Sequence, residues 1–96
     1  MIVITRYTVA PDDADAFVER AETALEALGA RPGLRGSWIG RAADEPGLWT
    51  VVTEWDGPGY YRRALSDFQV RMAAVPLLSE AHDEPTAFEV VAGRAR

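Results

Sequence analysis

Trp49-Thr-Val-Val-Thr-Glu-Trp55-Asp-Gly-Pro-Gly-Tyr-Tyr61-Arg62 is the stretch on which the reading of this chain turns. It reads as a strand that ends in an aromatic residue and runs directly into a helix opening with two tyrosines. Period-two spacing places Trp49, Val51, Thr53 and Trp55 on one face of that strand. In so short a protein such a cluster is either an unusually aromatic core or the wall of a pocket for a flat ligand.

Outward from this unit, the remaining elements are legible. Upstream, Ile2 to Val9 is rich in β-branched residues, stops at Ala10-Pro11, and reads as a first strand. Asp12 and Asp13 are N-cap candidates for a helix whose apolar stripe is Ala14, Phe17, Val18, Ala21, Ala24, Leu25 and Leu28, with Gly29 as the stop. The acids on its opposite face read as a solvated surface. Arg31-Pro32-Gly33 is a turn. Leu34 to Ala42 reads as strand two, with Gly36 and Gly40 permitting a bulge or a close approach. Residues 43–47 close a hairpin onto strand three, Leu48 to Trp55. Asp56 is the expected cap of the second helix, with Pro58 in its first turn. Tyr60, Tyr61, Ala64, Leu65 and Phe68 form its apolar face, and Pro76 is expected to break or kink the continuation. A last strand is expected over Thr86 to Val91. The order is β-α-β-β-α-β, the ferredoxin-like arrangement of an antiparallel sheet with both helices on one face. Trp38 and Trp49 are expected to be cross-strand neighbours stabilising the hairpin. We read residues 1–92 as one domain and 93–96 as a loose tail.

Ninety-six residues, 48 % hydrophobic and without cysteine, suffice for one globular domain with no disulfide support. A domain of this size buries only roughly 60 % of its unfolded surface. Strands one and four carry adjacent apolar residues, so both faces of the sheet need cover. A homodimer packed sheet to sheet is the expected solution. A net charge of −5 without a basic stripe argues against nucleic acid and anionic membranes. No apolar run spans a bilayer and no signal peptide is legible, so a cytoplasmic location is expected. Phosphate-loop, dinucleotide and calcium-loop motifs are absent, as is a serine nucleophile elbow. One histidine and no cysteine cannot build the usual zinc sites. His82, near the end of the second helical region, reads first as a surface histidine, with a catalytic role as the alternative.

These features together resemble the antibiotic biosynthesis monooxygenase superfamily of small dimeric α+β-barrel proteins. The resemblance rests on the element order, the Pro32-Gly33-Leu34 turn and the Trp55 that closes strand three. In the haem-degrading branch of that superfamily, the functional asparagine, tryptophan and histidine positions correspond to Thr5, Ala64 and Ala74, so that activity is not implied. In the quinone-forming, actinorhodin-type branch, the tryptophan falls on Trp55 and the tyrosine on Tyr61. The arginine falls on Arg71 if a short deletion is allowed, and the asparagine falls on Val51. The resemblance therefore implies a cofactor-independent monooxygenase that oxidises an anthrone-type aromatic, polyketide-like substrate with molecular oxygen. It implies Trp55, Tyr61 and Arg71 as catalytic residues and neither metal nor flavin. Val51, Thr53, Phe68, Met72 and His82 are the expected substrate-binding wall. The alternatives are a non-oxidising binding protein or cyclase of the same architecture, and a structural dimer whose aromatic cluster is only core.

Overall fold

The computed structural model describes residues 1–95; Arg96, the end of the expected tail, lies outside the described residues. Three long strands are β1 (Ile2–Thr8), β2 (Leu34–Arg41) and β3 (Leu48–Trp55). Between β1 and β2 lies α1 (Ala14–Gly29), entered through a short 3₁₀ turn at Pro11–Asp13. After β3 come α2 (Pro58–Leu65), α3 (Phe68–Ala73), α4 (Val75–Leu78) and a two-residue β4 (Ala87–Phe88). The sheet order is β2-β3-β1-β4, all pairs antiparallel, with the helices on one face. This is the ferredoxin-like arrangement that the alternation of strand and helix patterns predicts.

Period two sorts the sheet cleanly. Val3, Thr5 and Tyr7 of β1 and Val51, Thr53 and Trp55 of β3 are buried beneath the helices. Phe17, Ala21, Ala24 and Leu28 of α1 close over them with Ala64, Val70, Ala74 and Leu77. Small residues at positions 21, 24, 64 and 74 let the helices approach the sheet closely, so most of the interior volume is left to Trp55, Phe17 and Tyr7. The opposite face carries Ile2, Ile4 and Val52, half-buried, with Trp38 and Phe88 at 55 % and 45 % exposure.

Several local expectations are corrected. Trp38 and Trp49 are not neighbours. Trp38 pairs with Val52 on the open face, while Trp49 pairs with Arg41 beneath the helices. One unbroken register from Gly36 to Arg41 sets Trp49 three positions along from the Trp38–Val52 pair, so the two rings take opposite faces; the bulge between Leu34 and Gly36 lies beyond both. The Trp38 ring folds back over Gly36, where a Cβ would meet its Cη2 at 2.6 Å. The second helical region is three pieces, and its first break lies at Ser66-Asp67, well before Pro76. The Asp67 carboxylate accepts from the backbone N–H groups of Gln69 and Val70 at 3.0 and 3.2 Å and restarts the helix. Pro76 sits in the first turn of α4, where its missing N–H is tolerated. Asp56 does not cap α2. Gly57 holds that position, and Asp56 pairs with Arg35 at 3.5 Å. The last strand is far shorter than residues 86–91, and Val90 and Val91 lie exposed beyond it.

Candidate functional site

The β3–α2 junction is fixed by the backbone before any side chain acts. Trp55 N–H donates to Met1 C=O at 2.8 Å, and Asp56 N–H donates to Gly33 C=O at 2.8 Å. Gly33 has φ +94°, a conformation that favours glycine, and the Tyr60 ring lies where its Cβ would be. The Pro32-Gly33-Leu34 turn therefore seats the first turn of α2 against the end of the sheet, and so positions Tyr61.

Trp55 is 1 % exposed. Its indole N–H donates to the Thr53 hydroxyl at 2.9 Å. The Tyr61 ring stacks on it at 5.5 Å between centroids and a tilt of 51°. Tyr61 is half-buried, and burial, reinforced by Tyr7, raises its phenol above the usual tyrosine pKa. It is therefore a neutral hydrogen-bond donor across the physiological range. Behind it, the Tyr7 phenol donates to the Thr5 hydroxyl at 3.0 Å, and Thr5 donates to the Val51 carbonyl at 3.3 Å. The phenol of Tyr7 is raised as well, chiefly by burial.

Tyr61 opens onto a groove of about 390 Å³ lined by Leu65, Arg71, Val75, Leu78 and Ser79. Its walls are mostly apolar; among the described residues no carboxylate lines it, and Arg71 supplies the only formal charge. The Arg71 guanidinium makes no ion pair among the described residues. The fold thus brings Tyr61 and Arg71 to one groove, with Trp55 stacked behind Tyr61 and not itself on the groove wall. Val51 and Thr53 lie beneath, 3 % and 4 % exposed. Phe68 and Met72 are on the outer side of α3, at 70 % and 64 % exposure, and Met72 borders a different groove, against α1. His82 lies at the far end of β1. Its ring nitrogen is 2.9 Å from the Thr8 hydroxyl and its backbone N–H donates to Arg6 C=O. Neither Phe68, Met72 nor His82 joins the groove at Tyr61.

Sequence reasoning passed over Tyr7, whose period-two position with Val3 and Thr5 was the available signal. It gave no site role to Leu65, which follows Tyr61 by one turn of α2, nor to Val75, Leu78 and Ser79, which reach the groove from the later helical pieces. Among the described residues, no three His, Cys, Asp or Glu side chains converge to hold a metal ion. No helix among them is long and apolar enough to cross a membrane.

The family described as antibiotic biosynthesis monooxygenase matches residues 1–65. A conserved protein from Methanosarcina mazei Go1 superposes with a TM-score of 0.71 at 21 % identity, covering 90 % of this chain and 84 % of that one. SnoaB from Streptomyces nogalater, a cofactor-independent oxygenase, gives a TM-score of 0.71 at 20 % identity, covering 84 % and 82 %. Rv0793 from Mycobacterium tuberculosis gives 0.66 at 17 %, covering 90 % and 86 %. These likenesses establish a shared fold. Comparison with curated proteins finds no match.

Proposed function

The chain belongs to the antibiotic biosynthesis monooxygenase family, and from that premise we propose that it is a cofactor-independent monooxygenase acting on an electron-rich, anthrone-type aromatic, with molecular oxygen as co-substrate. The observation that carries this reading is the convergence of Tyr61 and Arg71 on one apolar groove, with the Trp55 ring stacked behind Tyr61.

An anthrone carries an acidic methylene conjugated with a carbonyl. Loss of one methylene proton gives an enolate delocalised over the rings. That anion passes one electron to oxygen, and the resulting radical pair combines into a peroxide at the former methylene carbon. Cleavage of the O–O bond, with loss of the second C–H proton, leaves a new C=O and releases water. One oxygen molecule and one methylene thus become one carbonyl and one water, so the substrate supplies every electron. The protein's part is to hold the rings, stabilise the anion and exclude water. In this reading the neutral Tyr61 phenol donates to the enolate oxygen. Arg71 pairs with the negative charge as it moves from ring to peroxide. Trp55 fixes the plane of Tyr61, and Thr53 fixes Trp55.

We also infer a homodimer formed by the open sheet face. What supports this is the arrangement of the face: a central row of Ile4, Val52 and Trp38 separates Glu54 on one side from Arg6, which also pairs with Glu84 at 3.4 Å, on the other. A two-fold axis through the row would place Arg6 of one copy over Glu54 of the second. A cytoplasmic location fits this reading.

A second reading, a non-oxidising binder or a cyclase, is favoured by Val51 at the expected amide position and by the commitment of the Trp55 N–H to Thr53. Oxygen uptake with emodin anthrone in metal-free buffer separates the two. A monooxygenase consumes oxygen faster than buffer alone. A cyclase changes the substrate spectrum equally under nitrogen, and a binder only quenches tryptophan fluorescence.

A further inference from the structure

On the outer surface, α1 and α3 lie side by side and leave two depressions between them, of about 430 and 400 Å³. Both are lined by Thr23 and Ala73, so they adjoin end to end and together form a groove that follows α1 from Ala16 to Ala30. At a rise of 1.5 Å per residue that is roughly 21 Å, the length of about four helical turns. Small residues floor it. One edge is acidic: Glu19 and Glu26 line the groove, and Glu22 shares their helix face. None of the three makes an ion pair among the described residues, whereas the cations in the walls, Arg20 and Arg31, are engaged by Glu80 and Asp67. The other edge is apolar and wet. Met72 lines the groove, and Phe68, one turn earlier on α3, stands exposed on the crest beside it without lining it, while Val70 and Ala74 of the same region are fully buried. The core therefore does not account for the exposed pair, and the groove at Tyr61 does not use it.

We propose that this groove docks an amphipathic helix of a partner protein, one presenting apolar residues at i and i+4 to Phe68 and Met72 and lysines or arginines to the Glu19–Glu26 edge. Charge complementarity selects this occupant. Among the described residues the groove carries unneutralised acids and no unpaired cation in its walls, so a second copy of the same face would bring acids without counter-charges. This inference stands apart from the oxygenase reading, since neither Tyr61 nor Arg71 lines the groove.

The test is titration of the full-length protein with an 18-residue leucine–lysine peptide designed as an amphipathic helix, followed by calorimetry and by backbone amide chemical shifts. The expected result is saturable one-to-one binding that weakens as salt rises, with shifts confined to α1 and α3. The F68S/M72S variant should lose at least tenfold in affinity at unchanged circular dichroism, and E19Q/E26Q should flatten the salt dependence. A scrambled peptide of the same composition should bind at least tenfold more weakly. Equal binding by F68S/M72S, equal binding of the scrambled peptide, or shifts mapping to the open sheet face would overturn the proposal. So would a change of oligomeric state on F68S/M72S substitution, which would make the face a self-contact.

Discussion

The Trp55 indole N–H donates to the hydroxyl of Thr53, two residues earlier on the same face of β3, at 2.9 Å and out of contact with solvent. The bond makes Trp55 a support for Tyr61 rather than a donor to substrate. It also ties together the two buried β3 residues that carry polar side-chain groups.

Trp55→Phe should therefore act first on stability. It removes a buried donor, leaves the Thr53 hydroxyl unmatched and opens a small cavity, at a cost of about 1–3 kcal/mol. For a domain of this size each kcal/mol corresponds to roughly 4–8 °C in Tm. Thermal melts of Trp55→Phe and Thr53→Val should show coupled losses, the double variant losing less than the sum. Strict additivity would show that the bond contributes nothing.

Two glycines should differ sharply. Gly33→Ala places a side chain at φ +94° and against the Tyr60 ring, so it should destabilise by about 1–3 kcal/mol. Gly36→Ala meets only the tip of Trp38, more than half exposed and free to swing aside. It should stay within about 0.5 kcal/mol. Urea midpoints decide this, and equal effects would contradict the packing described for the Pro32-Gly33-Leu34 turn.

Alkaline pH should expose the buried phenols. Burial raises Tyr61 and Tyr7 above their unfolded pKa of about 10. Between the unfolded and folded values the native state holds more protons, so stability falls as pH rises there. The contribution is fully present below about pH 10 and is lost as pH climbs through the folded values. Urea midpoints from pH 8 to 11.5 should decline at the alkaline end, and less steeply in Tyr61→Phe. An unchanged slope in that variant would count against the burial of its phenol.

The open sheet face makes its own forecast. Trp38→Glu should leave the circular dichroism unchanged and halve the mass measured by light scattering. A wild-type protein that sediments as a monomer at tens of micromolar would remove the sheet-to-sheet dimer from the account.

Much of this architecture was legible because period two and period 3.6 are strong in β1, β3 and α1. The alternation through Val51, Thr53 and Trp55 predicted a buried face, and those residues are buried. Two kinds of feature were not legible. Trp38 and Trp49 sit close in the hairpin sequence, but the register set by its loop, Arg41 opposite Trp49 and Trp38 opposite Val52, decides their faces. The groove at Tyr61 depends on the restart of the helix at Asp67, where a carboxylate that could as easily have faced water folds back onto two N–H groups. Without that break, Phe68 and Met72 read as one stripe with Tyr61. With it, Val75 and Leu78 take their place beside Tyr61 and Leu65, and His82 is carried to the other end of β1.

The central claim is that Tyr61 and Arg71 serve the oxidation of an aromatic anion by oxygen without a cofactor. The most direct measurement is ¹⁸O₂ labelling of emodin anthrone turnover in chelator-treated buffer, comparing wild type with Tyr61→Phe and Arg71→Ala. One labelled oxygen is expected in the new carbonyl, formed well above the rate in buffer alone. Each variant should slow it by roughly ten- to a hundredfold. A wild-type rate equal to that of buffer, or a new carbonyl that carries no label, would contradict that claim.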